Sequence, residues 1–268
     1  VLWEELSSRQ LGKAAEDSKG VCVLPLGVVE KHGDHLPLGT DMYIGRAVSK
    51  RASELEPAVV FPYYFLGQIM EGAHYPGTIA LQGETIFQTL MKVCDEINRA
   101  GFSKILIVSS HGGNTAFLNF FAQSMLGTGR DYMVYITSVL TFRDWQVKEL
   151  QQKYGEIDLA SGKHAGLKET AIMLAIAPQL VHMKEQDPAL SVSLERSEAL
   201  NQKDVTTGFD WYGKYPYHYA GSHLGATPEM GEDILKFHVA NLVESIKAVK
   251  EDVIMTALAK EFYSDSMR

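Results

Sequence analysis

The chain has 268 residues, 46% of them hydrophobic, and a formal net charge of -8 with no block of lysine or arginine. That length and apolar content suit one large α/β domain spanning 1–268, and the scattered basic residues argue against nucleic acid or an anionic membrane as a partner. No apolar run approaches the roughly twenty residues of a membrane span.

The N-terminal VLWEELSSRQ lacks the basic flank and apolar segment of a signal peptide. Cys22 and Cys94 form no CxxC pair, so two reduced core thiols in a cytoplasmic protein are expected. In chain order, Leu2, Trp3, Leu6 and Leu11 predict about two turns of amphipathic helix. The apolar run 21–29 predicts a buried strand, and the stretch PLGVVEKHGDHLPLGTDMYIG, residues 25–45, carries Glu30, His32, Asp34, His35 and Asp41 at its end. Glu30 and His32 are two apart, so an extended backbone points both the same way. Asp41 opens a helix predicted over 41–56, with Ile44, Val48 and Leu55 inward, where exposed amides favour a carboxylate. Such carboxylate and imidazole groups suit a divalent metal, and a shared carboxylate suits two. A solvated loop with an N-cap aspartate is the competing reading.

A short strand at 58–61 is followed by a long loop, GQIMEGAHYPGTIALQG at 67–83, which contains Glu71, His74 and the turn Pro76-Gly77. Loops of this length in compact domains are often functional. Ile86, Phe87, Leu90, Met91, Cys94 and Ile97 form the apolar stripe of a helix over 84–100. A strand at 104–109 ends in Ser110-His111-Gly112-Gly113-Asn114, and a helix at 115–126 leads to a strand at 132–137. Alternating strands and helices predict a mostly parallel sheet flanked by helices, with ligands beyond the carboxyl ends of the strands. Glu30, His32 and His111 therefore belong at one sheet edge.

A helix at 142–154 precedes SGKHAGLKETAIMLAIAP, which puts His164 on a glycine-containing turn and Glu169 near the start of an apolar helix. Glu169 there serves either the pocket or the positive helix end. Residues 188–228 are irregular, and their aromatic cluster FDWYGKYPYHY at 209–219 suits a lid or an oligomer contact. A closing helix runs from Glu229, with Ile234, Phe237, Val239, Leu242, Ile246 and Val249 inward. His182, His218, His223 and His238 are expected at the surface or in packing.

Five motifs in order, PLGVVEKHGDHLPLGTD, EGAHYPGT, SHGGN, KHAGLKETA and GATPEMGE, resemble the creatininase family of metal-dependent amidohydrolases over most of the chain. The resemblance implies a three-layer α/β/α fold and two divalent ions per chain, zinc first, with manganese or iron as alternatives. It implies metal ligands at Glu30, His32, Asp41, His111 and Glu169, with Asp41 bridging, and catalytic roles for His164 and Glu169. The implied activity is hydrolysis of a C–N bond in a small amide, cyclic amide or formamide by a homo-oligomer, commonly a hexamer in this family. Trimming of short peptides is the alternative, and an inert binding or assembly protein ranks last. Creatinine-cleaving members have a glutamate where this chain has Gly113, and bulky aromatics where it aligns Leu140 and Ala160. Creatinine is therefore not the expected substrate, and Glu169 takes the place of the fifth ligand. Asp34 and His35 are expected to orient ligands through hydrogen bonds. Glu71 and His74 are candidates for the pocket wall of this or a neighbouring subunit.

Overall fold

Alternation along the first strand sets the architecture. The structure, a computed structural model, describes residues 1–157, 159 and 163–266. Strand β1 (Val21–Leu26) is buried on both faces: Val21 and Val23 enter one core, while Cys22, Leu24 and Leu26 enter the other. A period of two with apolar residues at every position is what a sheet covered on both sides requires. With β2 (Val59–Val60), β3 (Lys104–Ser109) and β4 (Met133–Ser138), it forms a sheet of order β2-β1-β3-β4 in which every pairing is parallel.

The helices in chain order are α1 (Ser8–Asp17), α2 (Thr40–Leu55), α3 (Gly83–Arg99), α4 (Asn114–Met125), α5 (Asp144–Tyr154) and α6 (Leu167–Ile176). Two short ones follow, α7 (Glu198–Asn201) and α8 (Asp210–Lys214), and then α9 (Pro228–Glu251) and α10 (Ile254–Ser266). Ile44 and Val48 of α2, Met173 of α6 and Ile234 of α9 cover the face of Val21 and Val23. Leu90 and Cys94 of α3 with Leu118 and Phe121 of α4 cover the opposite face. The result is the expected three-layer α/β/α arrangement. Both thiols are free and buried. No helix among the described residues is long and apolar enough to cross a membrane.

Several features differ from the sequence reading for identifiable reasons. The first strand stops at Leu26, because Gly27 turns its N–H to the carbonyl of Tyr64 and Val29 accepts from Ile79, outside the ladder. Leu55 points outward at 68% exposure; it is the last residue of α2 and overhangs the packed layer, so Ala52 completes the inward stripe. The N-terminal helix is longer than two turns, since Ser7 and Gln10 form a capping box that starts it afresh at Ser8. The closing helix breaks at Asp252, whose carboxylate accepts the N–H groups of Ile254 and Met255 and so caps α10.

Candidate metal centre

In the parallel register Leu26 of β1 lies opposite Ser109 of β3, so both strands end level. The N–H of Ser110 donates to the carbonyl of Leu26 at 3.1 Å, which ties the two exits together. Glu30 and His32 therefore leave β1 beside His111 leaving β3. Asp41 sits in the first turn of α2, with its carboxylate in the field of the unpaired amides. Glu30 and His32 are 0% exposed, and Asp41 is 1% exposed.

Asp41 is the centre of the cluster. Its Oδ1 lies 3.2 Å from His32 Nε2, and its Oδ2 lies 3.1 Å from His111 Nδ1. His111 Nδ1 is also 2.7 Å from Glu30 Oε1, and His32 Nε2 is 4.0 Å from Glu169 Oε2. Two groups of close ligand atoms result, Glu30 with Asp41 and His111, and His32 with Asp41 and Glu169. A third, Glu30 with His32 and His164, overlaps the first two. His32 donates its Nδ1–H to the carbonyl of Glu30 at 3.2 Å, leaving Nε2 to face the carboxylates. Glu30 Oε1 and Asp41 Oδ2 are buried acceptors that lack a hydrogen bond. Both face the single nitrogen His111 Nδ1, and three buried carboxylates gathered around two imidazoles call for more positive charge, so these residues fit divalent metal.

The charges reinforce this. Burial opposes ionisation of Glu30, but the His111 and His164 imidazoles outweigh it and hold the carboxyl well below its usual range. Burial likewise opposes charge on His32, yet Asp41, Glu30 and Glu169 carry it from 6.5 to about 9. His111 is raised well above its ordinary value, with Glu30 and Asp41 overcoming burial. Two imidazolium groups thus balance the carboxylates of the metal-free cluster. His32 stabilises the metal-free fold fully below pH 6.5, and this contribution is lost as pH rises through about 9. Zinc or manganese titration at pH 7 is accordingly expected to release about two protons, with affinity rising toward pH 9. Calorimetry in two buffers of different ionisation heat reads this directly; a buffer-independent heat would contradict it.

Glu169 lies in the first turn of α6, and its Oε2 accepts the N–H of Ala165 at 2.6 Å. Ala165 adopts φ 55° to present that N–H, a left-handed conformation that an alanine rarely takes. The capping role and the site role are therefore held by the same carboxylate. Burial raises Glu169, assisted by Asp41 and resisted by His32 and Lys168. His164 is kept well below its ordinary value, by burial first and then by His32 and His218. A neutral ring whose Nε2 is 2.7 Å from the carbonyl of Lys31 donates there, which makes Nδ1 its proton acceptor.

Around this centre His35 donates to or accepts from Thr170 Oγ1 at 2.9 Å, next to Glu169, which agrees with a supporting place. Asp34 instead faces outward and pairs with Lys31. Glu71 reaches the site within its own chain. A Cβ on Gly113 would lie 2.5 Å from His111 Nε2 and 2.8 Å from Glu71 Oε1, so the glycine leaves room for the Glu71 carboxylate beside His111. His74 is exposed and, with the hydroxyl of Tyr75, donates to the carbonyl of Pro216. Leu140 is half-buried, with its carbonyl accepting from Lys168, and Ala160 lies outside the described residues.

Asp34 is thus one departure from expectation, and His218 is another. His218 is no packing histidine: its Nε2 lies 2.5 Å from Glu30 Oε2. Its partner Trp211 stands edge-on to His164 at 5.9 Å. The aromatic composition of 209–219 was the signal available, without any indication of its target. His223 and His238 are packing residues, against His35 and Phe142, and His182 is exposed.

Comparison with known proteins bears on the chain as a whole. The creatininase (creatinine amidohydrolase) family matches residues 4–246. Creatinine amidohydrolase of Pseudomonas putida is 32% identical over 195 residues, 68% of this chain and 72% of that protein. A mycofactocin precursor peptide peptidase of Mycobacterium ulcerans is 28% identical over 172 residues, 59% of each chain. A crystal structure of creatinine amidohydrolase superposes with a TM-score of 0.77 at 24% identity, over 94% of this chain and 99% of that one, and creatininases of this fold include zinc–zinc and manganese forms. The chain belongs to the creatininase family and is, with it, a hydrolase of amide C–N bonds.

Proposed function

We propose that Glu30, Asp41 and His111 hold one divalent ion and that His32, Asp41 and Glu169 hold a second, for hydrolysis of a small amide, cyclic amide or formamide. The observation that carries this reading is the sharing of Asp41 between two ligand groups, one carboxylate oxygen facing each. Zinc is the first choice, with manganese or iron as alternatives for such mixed ligands. Once bound, two such ions supply Lewis acidity and bring the pKa of a water toward neutrality. The remaining work falls to the chain. Neutral His164, with Nε2 3.8 Å from Glu30 Oε2, stands beside the centre as a hydrogen-bond donor to the developing oxyanion, and Glu169 is placed to pass a proton to the leaving nitrogen. We place the enzyme in the cytoplasm as a one-domain homo-oligomer, a hexamer by family likeness.

Creatinine itself is a poor fit, because Gly113 has no side chain to ligate and Leu140 presents no aromatic face. The aromatic near His164 is Trp211, from another segment. Protein loaded separately with zinc, manganese and iron, then assayed on cyclic amides, formamides and short peptides, tests the assignment. About two metal equivalents with turnover of the non-peptide amides is expected. Turnover of peptides alone would move the reading to the peptidase branch, and none on any substrate would overturn it. His164→Ala is expected to keep both metal equivalents while kcat falls about 10²- to 10⁴-fold. Loss of a metal in that variant would make His164 a ligand instead.

A further inference from the structure

We infer that His218, fixed in one tautomer by Trp211, is the positioning residue that aims Glu30 at the metal centre. The Nε1–H of Trp211 donates to His218 Nδ1 at 3.0 Å. An indole nitrogen is a donor only, so Nδ1 of His218 must be the acceptor and Nε2 must carry the ring proton. That Nε2–H meets Glu30 Oε2 at 2.5 Å, across 188 residues of sequence. One oxygen of Glu30 is thereby tied down, and the other, Oε1, is left without a hydrogen bond beside Asp41 and His111. A carboxylate held in this way offers one defined oxygen to a cation rather than rotating between two.

The surroundings hold the ring there. His218 is 1% exposed and takes a left-handed φ of 53°, a conformation that a histidine keeps only where its neighbours fix it. The His164 ring packs against it at 4.5 Å. The turn bearing His164 is bonded to the same segment, with His164 and Ala220 exchanging both backbone hydrogen bonds at 2.9 Å. Pro216 is anchored through its carbonyl to His74 and Tyr75 of the 67–83 loop. The chain is thus clamped on both sides of His218, at Pro216 and at Ala220. The aromatic residues of this segment act as a scaffold for one imidazole.

This inference rests on Glu30 being a ligand of the binuclear site, and the experiment separates the two. Full-length protein, Trp211→Phe, His218→Phe and His218→Gln are compared by chelator competition with zinc and by nitrogen NMR of the histidine rings without metal. Wild type should show His218 as the Nε2–H tautomer, and Trp211→Phe should show a mixture. His218→Phe should weaken one of two zinc equivalents about 10- to 100-fold and leave the other in place. His218→Gln, whose amide N–H can reach Glu30, should recover most of that loss. Two zinc equivalents of unchanged affinity in His218→Phe, or an Nδ1–H tautomer in wild type, would overturn the inference. Should His218→Phe not fold, the tautomer decides: pure Nε2–H in wild type and a mixture in Trp211→Phe support the inference, and an unchanged tautomer in Trp211→Phe overturns it. A wild type that binds no metal, with the tautomer as described, would instead overturn the binuclear reading and with it the ligand role of Glu30 on which this rests.

Discussion

Asp41→Ala is expected to remove both metal equivalents at once and to lower turnover by about three orders of magnitude or more. Each of its two oxygens faces a different imidazole, at 3.2 Å for His32 and 3.1 Å for His111. Without it, Glu30 with His111 and His32 with Glu169 remain as separate pairs. Two protein ligands per ion fall short of the three that catalytic sites normally supply. Loss of either outer ligand should leave one ion, whereas loss of the shared carboxylate should leave none. Asp41→Asn provides the control for shape, since it keeps the volume and removes the charge. Elemental analysis of the purified variants reads the stoichiometry, and thermal melts with and without chelator read its energetic consequence. Chelation should lower the Tm of wild type and leave that of Asp41→Ala unmoved, because ligand binding stabilises only a fold that binds. Two retained metal equivalents in Asp41→Ala would refute the shared-carboxylate arrangement.

Gly231→Ala is expected to destabilise the metal-free protein by about 3 kcal/mol, the upper end for overpacking a core. Gly231 is buried near the start of α9, where it crosses α6. A Cβ there would collide with the carbonyl oxygen of Ala171 and crowd the backbone of Ala171 and Ile172. Backbone cannot yield as a flexible side-chain tip can, so one helix must move. At this chain length the loss corresponds to a fall in Tm of about 5 °C. Because α6 carries Glu169, displacement of that helix should also weaken metal binding. The melt of the metal-free variant separates the two effects, and an unchanged Tm would show that the helices absorb the methyl group without strain.

The places where sequence and structure part follow from the range of the forces involved. Local patterns act over a few residues, and they located β1, β3 and β4, most helices, the loops bearing Glu30, His32 and His111, and the helix starts bearing Asp41 and Glu169 to within a few residues. The level ends of β1 and β3 confirm that a parallel sheet gathers strand-end loops at one edge. Glu169 was ambiguous between helix cap and site residue because its sequence position serves both, and the structure shows one carboxylate in both contacts.

What the sequence determined by itself was the kind of chain and the kind of site: alternating strands and helices, and carboxylates and imidazoles at the strand ends where a metal suits them. The tertiary structure alone decided that Trp211 bonds His218 and His218 bonds Glu30, that Gly231 lets two helix backbones touch, and that Gly113 makes room for Glu71. Each of these joins residues from separate elements. Periodicity and capping are written in neighbouring residues, whereas a contact across 188 positions exists only once the packed layers have brought its two ends together.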